Sequence, residues 1–372
     1  MAGDTDILIF RPDDVDLSRS PLRRGIAEPT YVLGAFNPGF TRLPNGNLLL
    51  MVRVAEALRD PVQDGFVRAI RSTPAGYRLD AYPLAGVDMI DPRQFAIPGP
   101  NRLLALTSLS WLLPVELDAE GTRVVAVHYD RALAPEASYQ VHGIEDARIS
   151  HIDGVWYMTT CSVSPERHCT ALYTSRDGLD YRLEGIVLDH QNKDMLLFEG
   201  KVGGRFMALT RPLGDIYFAY AEDSPYAGGP SINLAQSPDA LHWKPLDTPG
   251  IRARKGSTSA MKVGGGAQPV LTPDGWLVVY HGVEVREKVG VYRSFWALLD
   301  RDDPGRILRL EDETPLLEAS PALIAPIAHQ LYLPTPVVFT TGIVAARDDY
   351  LIASGEADLA CRITRLPKAI FR

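Results

Sequence analysis

The amino-acid sequence predicts an all-β fold, most simply a β-propeller in which sheets repeat around a central axis. Apolar residues do not recur at helical spacing over long windows; short apolar runs are instead broken by Gly, Pro, Asn and Asp. The chain of 372 residues contains 31 glycines and 29 prolines, which suits many tight turns. One type of strand also recurs, in its early copies roughly every 50 residues, close to the length of a four-stranded blade.

The recurring strand is an apolar run that closes on a polar residue. Its copies cover residues 47–53, 103–108, 155–160, 205–211, 276–281 and 350–354. A second strand type follows in two copies, at residues 170–177 and 231–239. A blade cannot bury its faces alone, so repeats of this kind indicate blades stacked around an axis. Five or six copies leave the number of blades open, and a sandwich of repeated hairpins is the alternative.

Three of the six polar residues that close the copies are cationic or can become cationic. The closing residues are Arg53, Ser108, Thr160, Arg211, His281 and Ser354. In a propeller, equivalent positions lie at equivalent depths around the axis, so Arg53, Arg211 and His281 would surround one pocket. Such a ring favours an anionic ligand. The alternative is that polar residues simply mark the ends of strands.

Composition and charge exclude several classes of function. The net charge is −8, and the basic clusters at residues 23–24 and 252–255 are too short to form the basic face of a nucleic-acid-binding protein. No apolar run approaches the ~18 residues that a membrane-spanning helix needs. The first residues also lack the pattern of a signal peptide. We therefore expect a cytoplasmic protein with no nucleic-acid and no membrane partner.

The cysteines and histidines give no sign of a disulfide framework or a metal site. Cys161, Cys169 and Cys361 are an odd and sparse set. No Cys/His spacing matches a zinc site. The sequence also contains no serine-hydrolase elbow and no phosphate loop. The glycines at residues 264–266 do not form a nucleotide-binding loop, because they are not followed by the start of a helix. We expect no metal and no cofactor.

Residues 142–150 place two carboxylates and an arginine just before a predicted strand. Neighbouring residues of an extended strand point to opposite faces, so Asp146 and Arg148 would share one face while Glu145 would turn away. The arginine would lower the pKa of the aspartate, and burial would raise it. Taken alone, the segment could equally be a surface turn with a salt bridge.

Several separated segments together resemble glycoside hydrolase family 130, the β-mannoside phosphorylases and β-mannosidases. The segments that carry the resemblance are residues 36–39, 50–53, 143–148, 193–198, 206–212, 233–243, 262–269, 274–283, 292, 298–300 and 355–358. They occur in family order over roughly residues 30–360. The resemblance implies a single domain over residues 1–372, a five-bladed β-propeller with a central axial active-site pocket. Roughly the first 25 residues would form an arm or a segment that closes a blade.

The resemblance also implies roles for particular residues. Asp146 is implied to be the general acid of an inverting reaction, acting directly or through a sugar hydroxyl, although the family has Pro where this chain has Ala147. The implied phosphate-binding residues are Lys193, Arg211, Lys262, His281 and Tyr292. Lys193 stands where Arg is frequent in the family, which keeps the charge but loses a bidentate contact. The implied sugar-binding residues are Asn37, Arg53, Glu145, Arg148 and Asp358. Candidates for an aromatic platform under the sugar are Trp111, Tyr129, Tyr226 and Trp296, each of which ordinary packing would also explain.

The resemblance thus implies an inverting phosphorylase that uses inorganic phosphate to release α-mannose 1-phosphate from a terminal β-mannose, with a β-1,2 linkage as the first expectation. A β-1,4 linkage to glucose or N-acetylglucosamine stays open. An inverting β-mannosidase is the first alternative, and it would need a base such as Glu199, Glu222 or Glu284 to activate water. A non-catalytic propeller that binds glycans is the second alternative. The expected partners are a small oligosaccharide and phosphate, and a homo-oligomer is left open.

Overall fold

The computed structural model describes residues 6–100, 103–189, 191–212, 220–247, 250–284, 286 and 289–372. These residues form antiparallel β-sheets joined by turns and short helices, so the prediction of an all-β fold is confirmed. Short 3₁₀ helices span Pro12–Asp14, Leu17–Arg19, Pro21–Arg24, Tyr129–Arg131, Ser138–Gln140, Ala325–Gln330 and Lys368–Phe371, and one α-helical turn spans Pro321–Ile324. Over the described ranges, no helix has the length and apolar character needed to cross a lipid bilayer.

Most strands belong to five main sheets, which we call sheets I to V in chain order. Sheet I contains β2 (Thr30–Arg42), β3 (Leu48–Leu58), β10 (Ser108–Leu117) and β11 (Val124–Val127). Sheet II contains β12 (Ile144–Ile152), β13 (Val155–Val163), β14 (His168–Ser175) and β15 (Arg182–Leu188). Sheet III contains β16 (Asn192–Val202), β17 (Arg205–Pro212), β18 (Asn233–Ser237) and β19 (Lys244–Pro245).

The last two main sheets bring the ends of the chain together. Sheet IV contains β20 (Lys262–Gly265), β21 (Val270–Thr272), β22 (Gly275–Glu284), β23 (Val291–Leu299) and β24 (Ile307–Glu311). Sheet V contains β25 (Val338–Ala345), β26 (Asp349–Glu356) and β27 (Ala360–Pro367), with β1 (Asp6–Phe10) paired to β27. An N-terminal strand thus completes a sheet made by the last three strands.

The strand repeat read from the sequence corresponds to the middle of these sheets. Five copies of the repeat lie in β3, β13, β17, β22 and β26, each of which pairs with the first strand of its sheet. They are residues 47–53, whose Asn47 immediately precedes β3, and residues 155–160, 205–211, 276–281 and 350–354. The copy at residues 103–108 does not belong to the series. Its apolar part is β9 (Leu103–Leu106), in a separate small sheet, and Ser108 begins β10. A short apolar run bounded by turn residues looks the same in either setting.

The first strands of the sheets lie against one another. β12 contacts both β2 and β16, β16 contacts β20, and β2 also contacts β25. Side chains join these strands through backbone carbonyls: Ser150 Oγ donates to Leu197 O at 2.7 Å, and Thr341 Oγ1 donates to Pro38 O at 2.6 Å. Each of these bonds runs between neighbouring sheets, so they fix the sheets relative to one another.

The N-terminal segment is fixed by two buried carboxylates. Glu56 of β3 is fully buried and accepts hydrogen bonds from Ser20, from Thr30 Oγ1 at 2.5 Å and from Trp111 Nε1 at 3.2 Å, with Arg23 Nη2 at 3.0 Å. In sheet V, Arg362 pairs with Glu356 and with Asp6 of β1. A buried carboxylate is costly unless it is paired and hydrogen-bonded in this way, so both groups specify where the N-terminal segment lies.

Two small sheets are inserted between β3 and β10, and we call residues 59–107 the insert. One sheet contains β4 (Val62–Gln63), β5 (Phe66–Thr73) and β6 (Gly76–Pro83), and the other contains β7 (Asp88–Asp91), β8 (Gln94–Ile97) and β9 (Leu103–Leu106). The insert has its own small apolar core, formed by Val67, Ala69, Phe95 and Ala105. It also leaves large apolar side chains in solvent, notably Leu103 and Leu104.

Candidate active site

Three first strands carry the same irregularity at corresponding places. The pairing register shifts within β2, β12 and β16 at Asn37, Asp146 and Asp194, which have φ values of 46°, 53° and 55°. Asn and Asp tolerate this left-handed conformation better than other residues with a side chain. Each bulge redirects one polar side chain out of the strand alternation. All three side chains line one cavity.

The cavity has a volume of about 770 Å³ and collects residues from all five main sheets. The predicted site residues that line it are Asn37, Arg53, Glu145, Asp146, Lys193, Arg211, Lys262, Tyr292 and Asp358. The remaining two, Arg148 and His281, lie behind its wall and are almost completely buried. Residues far apart in the sequence are therefore brought together, as a common pocket requires.

Asp146 is held by two neighbours. Its Oδ1 accepts a hydrogen bond from Asn37 Nδ2 at 3.0 Å and from Arg53 Nη1 at 2.9 Å. Burial acts to raise the pKa of Asp146, but the positive charges of Arg53 and Lys193 outweigh it and lower the pKa to about 2. The carboxyl is therefore ionised at neutral pH.

Glu145 lies in the same cavity as Asp146, so the expectation that it turns away is wrong. Its Oε1 accepts from Arg53 Nη2 at 2.8 Å, and its Oε2 lies 3.3 Å from Lys193 Nζ. The bulge at Asp146 explains the difference, because the extra residue interrupts the strict alternation of an extended strand. Arg53 consequently forms a fork between two adjacent carboxylates.

Arg148 does not share a face with the Asp146 carboxylate as expected. Its guanidinium donates to three carbonyls: Nε to Gly266 O at 2.6 Å, and Nη1 to Asp146 O at 2.9 Å and to Ala147 O at 3.4 Å. It reaches from sheet II to the start of sheet IV. The side chain is fully buried, so its structural contacts hold the backbone around Asp146.

Besides Arg53, three further cations of the main sheets line the cavity. Lys193, Arg211 and Lys262 come from β16, β17 and β20. Burial lowers the pKa of Lys262, and Arg211 lowers it further, to about 8. Burial also acts to lower the pKa of Lys193, but Glu145 outweighs it and the pKa of Lys193 rises. Tyr292 lies beside this group, with Lys262 Nζ 5.1 Å from the centre of its ring, and burial raises its pKa to about 12.

His281 is a neutral neighbour of this cluster. Burial, reinforced by the charges of Arg211 and Lys262, holds its pKa well below the usual value. Its Nε2 lies 3.5 Å from Arg211 Nη1 and 3.7 Å from Asp194 Oδ2. The close fit explains the glycine run, because a Cβ on Gly264 would come within 2.5 Å of the His281 ring.

Asp194 is a cavity residue that the sequence reasoning did not select. Its side chain is 2% exposed, and Oδ2 lies 3.0 Å from Arg211 Nη2, while Oδ1 lies 3.6 Å from Arg148 Nη2. The signal that could have identified it is the pair Lys193-Asp194, which parallels Glu145-Asp146 at the same place in the next sheet.

Asp358 closes the site from the end of sheet V. It is left-handed at φ 52°, and burial raises its pKa. Arg93 of the insert has its Nη1 3.8 Å from Asp358 Oδ2. The insert therefore contributes to the same cavity. Its residues Arg71, Asp80, Tyr82, Leu103 and Leu104 also line it.

The aromatic candidates lie elsewhere. Trp111 and Trp296 are buried in the apolar core, Tyr129 accepts a hydrogen bond from Asp16 N at 2.6 Å, and Tyr226 stacks with Arg252. None of the four lines the cavity. The aromatic rings that do are those of Tyr82, Tyr292 and Phe339. Over the described residues, no group of three or more His, Cys, Asp or Glu side chains is placed to hold a metal ion.

Comparison with known proteins identifies the family. The family model described as β-1,4-mannooligosaccharide phosphorylase, glycoside hydrolase family 130, matches residues 116–370. The chain belongs to this family. A curated relative named β-1,2-mannobiose phosphorylase, from Listeria innocua serovar 6a, is 31% identical over 306 residues that cover 79% of each chain.

Two further comparisons agree with this assignment. A 1,2-β-oligomannan phosphorylase from Thermoanaerobacter sp. (strain X514) is 29% identical over 232 residues, which cover 61% of this chain and 69% of the relative. The solved structure of β-1,2-mannobiose phosphorylase from Listeria innocua, in complex with β-1,2-mannobiose, superposes with a TM-score of 0.80. It is 27% identical and covers 99% of this chain and 98% of its own.

Proposed function

We propose that the protein is an inverting β-mannoside phosphorylase that cleaves a terminal β-1,2-linked mannose with inorganic phosphate and releases α-mannose 1-phosphate. The observation that carries this proposal is one cavity that holds both the Asp146 carboxylate and the cations Lys193, Arg211 and Lys262. An anionic nucleophile needs such donors beside the sugar. The names of the family 130 relatives agree with this activity and with the β-1,2 linkage.

In this mechanism phosphate lies against Lys193, Arg211, Lys262 and Tyr292, with His281 supporting Arg211 from behind. The non-reducing mannose lies against Asn37, Arg53, Glu145 and Asp358, on a backbone held by Arg148. A phosphate oxygen attacks the anomeric carbon while the bond to the leaving oxygen breaks on the opposite face. Asp146 supplies the proton to that oxygen, directly or through a sugar hydroxyl. Phosphate thus replaces the water and base of an inverting hydrolase.

Asp146 must take up a proton before it can donate one. Beside Arg53 and Lys193, its pKa of about 2 keeps it ionised. Binding of phosphate beside Lys193 adds negative charge, and the bound sugar removes water from the carboxyl; both changes raise the pKa. Binding of the substrates therefore allows Asp146 to become protonated. A general acid works best when its pKa lies near the working pH.

Hydrolysis is the less favoured alternative because the three glutamates considered as its base, Glu199, Glu222 and Glu284, do not line the cavity. The phosphate requirement separates the two activities. β-1,2-Mannobiose is incubated with the purified protein with and without phosphate, and mannose and α-mannose 1-phosphate are measured. Turnover that persists unchanged without phosphate would refute the phosphorylase. Complete absence of turnover on β-mannosides with phosphate would favour a glycan-binding protein.

We also propose that sheets I to V are the five blades of one β-propeller domain over residues 1–372, with β1 as the strand that closes the last blade. The support is the contact of each main sheet with the next, through first strands in sheets I to IV and through β22 and β23 against β25, and the pairing of β1 with β27. Removal of residues 1–10 then exposes the edge of β27. A single cooperative unfolding transition for the full chain, and a lower Tm for the truncated one, are expected.

The remaining proposals concern partners and location. The enzyme needs no metal or organic cofactor, only phosphate as a co-substrate, so dialysis against a chelator leaves its activity intact. It binds neither nucleic acid nor membranes and works in the cytoplasm, where phosphate is available. The described cysteines, Cys161, Cys169 and Cys361, are buried free thiols, which agrees with a reducing compartment. Light scattering at working concentration distinguishes a monomer from a homo-oligomer.

A further inference from the structure

The proposed contacts of mannose and phosphate leave one part of the cavity wall unassigned. Apart from Glu145, the residues proposed to line the mannose site come from sheets I and V, and those proposed to line the phosphate site come from sheets III and IV. The unassigned wall consists of the insert and of sheet II near its β13–β14 hairpin, including His142, Ser164 and His168. This part of the cavity is therefore the part left for the leaving sugar.

His168, the first residue of β14, lies between the reacting end of the cavity and the insert. On one side its ring interacts electrostatically with Lys193 and Glu145. On the other side it interacts with His142, which is itself influenced by the charge of Asp80 in the insert. A sugar that extends from the reacting centre toward the insert therefore passes His168.

The hydrogen bonds of His168 fix which ring nitrogen carries the proton. Gln191 Oε1 accepts a hydrogen bond from His168 N at 3.2 Å and lies 3.1 Å from His168 Nδ1. A backbone N–H can only donate, so the Gln191 atom is the amide oxygen, and Nδ1 is the protonated nitrogen. Burial lowers the pKa of His168 and the charge of Lys193 lowers it further, against the opposing charge of Glu145, so the ring is neutral at neutral pH. Nε2 is then an acceptor.

This acceptor is available to a ligand. His168 Nε2 has no hydrogen-bond partner among the residues that the structure describes, and it is not sealed from solvent. Lysine and arginine side chains can only donate, so the cations of the cavity cannot accept the hydrogen of a sugar hydroxyl. A neutral histidine with its lone pair on Nε2 can.

We propose that His168 Nε2 accepts a hydrogen bond from a hydroxyl of the leaving mannose and thereby helps to select the leaving sugar. The inference rests on the proposed phosphorylase function. In the synthetic direction the same mannose is the acceptor, and its 2-hydroxyl reacts with α-mannose 1-phosphate. The hydroxyl that His168 binds is therefore one of those at C1, C3, C4 and C6.

His168→Asn tests the proposal, because the shorter amide can still donate to Gln191 but has no atom at the position of Nε2. Synthesis from α-mannose 1-phosphate is measured with mannose and with its 1-, 3-, 4- and 6-deoxy derivatives as acceptors. In wild type, kcat/KM for one derivative is expected to lie about threefold to tenfold below that for mannose, the value of one neutral hydrogen bond. In His168→Asn, kcat/KM for mannose should fall by the same factor, and that derivative should no longer be penalised. His168→Gln, whose amide oxygen can occupy the position of Nε2, should recover the penalty.

The control is His242→Asn, which changes an exposed histidine outside the cavity whose Nδ1 also lies close to a side-chain oxygen, at 2.8 Å from Asp239 Oδ2. Its acceptor preferences are expected to equal those of wild type. If every deoxy derivative keeps its wild-type penalty in His168→Asn, the proposal is wrong. It is also wrong if the KM for α-mannose 1-phosphate rises by the same factor as the KM for mannose, because His168 would then act through Lys193.

A further measurement needs no variant. If wild-type protein uses mannose and all four deoxy derivatives with equal kcat/KM, no hydroxyl of the acceptor is held, and the proposal is overturned. Failure of the proposed function is a different result: wild-type protein would then form no disaccharide from α-mannose 1-phosphate and mannose.

Discussion

The cavity has two walls that differ in construction. The wall formed by the main sheets carries its charges in fixed pairs: the side chains of Arg53, Glu145 and Asp146 are between 12% and 14% exposed and bonded to one another. The wall formed by the insert is far more exposed, with Arg71 at 38% and Leu103 at 60%. The comparison suggests that the buried wall performs the chemistry and that the exposed wall meets the leaving part of the substrate, because loops over a rigid scaffold commonly decide what binds.

The largest effect is expected from the buried wall. Asp146→Asn keeps the shape of the side chain but removes the proton donor, so kcat for phosphorolysis should fall by about 10²- to 10⁴-fold, the usual contribution of a general acid. Initial rates at saturating phosphate and β-1,2-mannobiose check this. Asp180→Asn, at an exposed ion pair with Arg131, is the matched control. An unaltered kcat in Asp146→Asn would show that another group donates the proton.

The next effect is expected where the buried wall meets phosphate. Arg211→Met retains most of the side-chain volume and removes the charge, so the KM for phosphate should rise by about 10- to 100-fold, as the loss of a charged hydrogen bond predicts. The KM for the disaccharide should change much less. A rise in the KM of the disaccharide alone would contradict the placement of phosphate at Arg211.

The pH dependence provides a smaller test of the same region. The pKa of Lys262 is lowered to about 8, so in the free enzyme its ammonium is present below this pH and is lost as the pH rises through it. The KM for phosphate should therefore increase roughly threefold to tenfold on the alkaline side, since one cation of the group disappears. Lys262→Met should start from a higher KM and lack this rise. An alkaline rise that persists in the variant would assign it to another group.

The smallest effect is expected from the insert. Arg71 lines the cavity and pairs with Asp80 Oδ2 at 2.6 Å, in solvent-exposed surroundings. Arg71→Ala should raise the KM for the disaccharide by about twofold to tenfold, because exposed polar contacts contribute little, while the KM for phosphate stays the same. Arg78→Ala removes an exposed arginine of the adjacent strand outside the cavity and serves as control. If Arg71→Ala raised the KM for phosphate as much as the KM for the disaccharide, the two walls would not have the separate roles described above.

The sequence predicted the parts of the fold that depend on local patterns. Strands such as 155–160 and 276–281 combine apolar residues with a turn before them, and such patterns act over a few residues. Residues 103–108 have the same local character but lie in the insert and at its exit, because a short run carries no information about which sheet it will join.

The site was predictable in composition but not in detail. The family resemblance placed Asp146 and the cations in one site. The prediction that Glu145 points to the other side of the strand was wrong. A bulge changes the register by one residue. The pattern of apolar residues does not reveal its position, because the residues involved are polar. Asp194 was missed for the same reason. Its importance comes from its place between Arg211 and Arg148, which only the folded structure provides.

The pairing of β1 with β27 also has a consequence for biosynthesis. Asp6 and Arg362, which form an ion pair, are separated by 356 residues, so β1 leaves the ribosome long before its partner strand exists. At about 5 to 20 residues per second, the delay is on the order of 20 to 70 seconds. Throughout that time the nascent chain carries an unpaired strand that other chains could capture. Asp13 and Asp14 follow β1 closely in the sequence, and charge beside an unpaired strand opposes strand-to-strand aggregation.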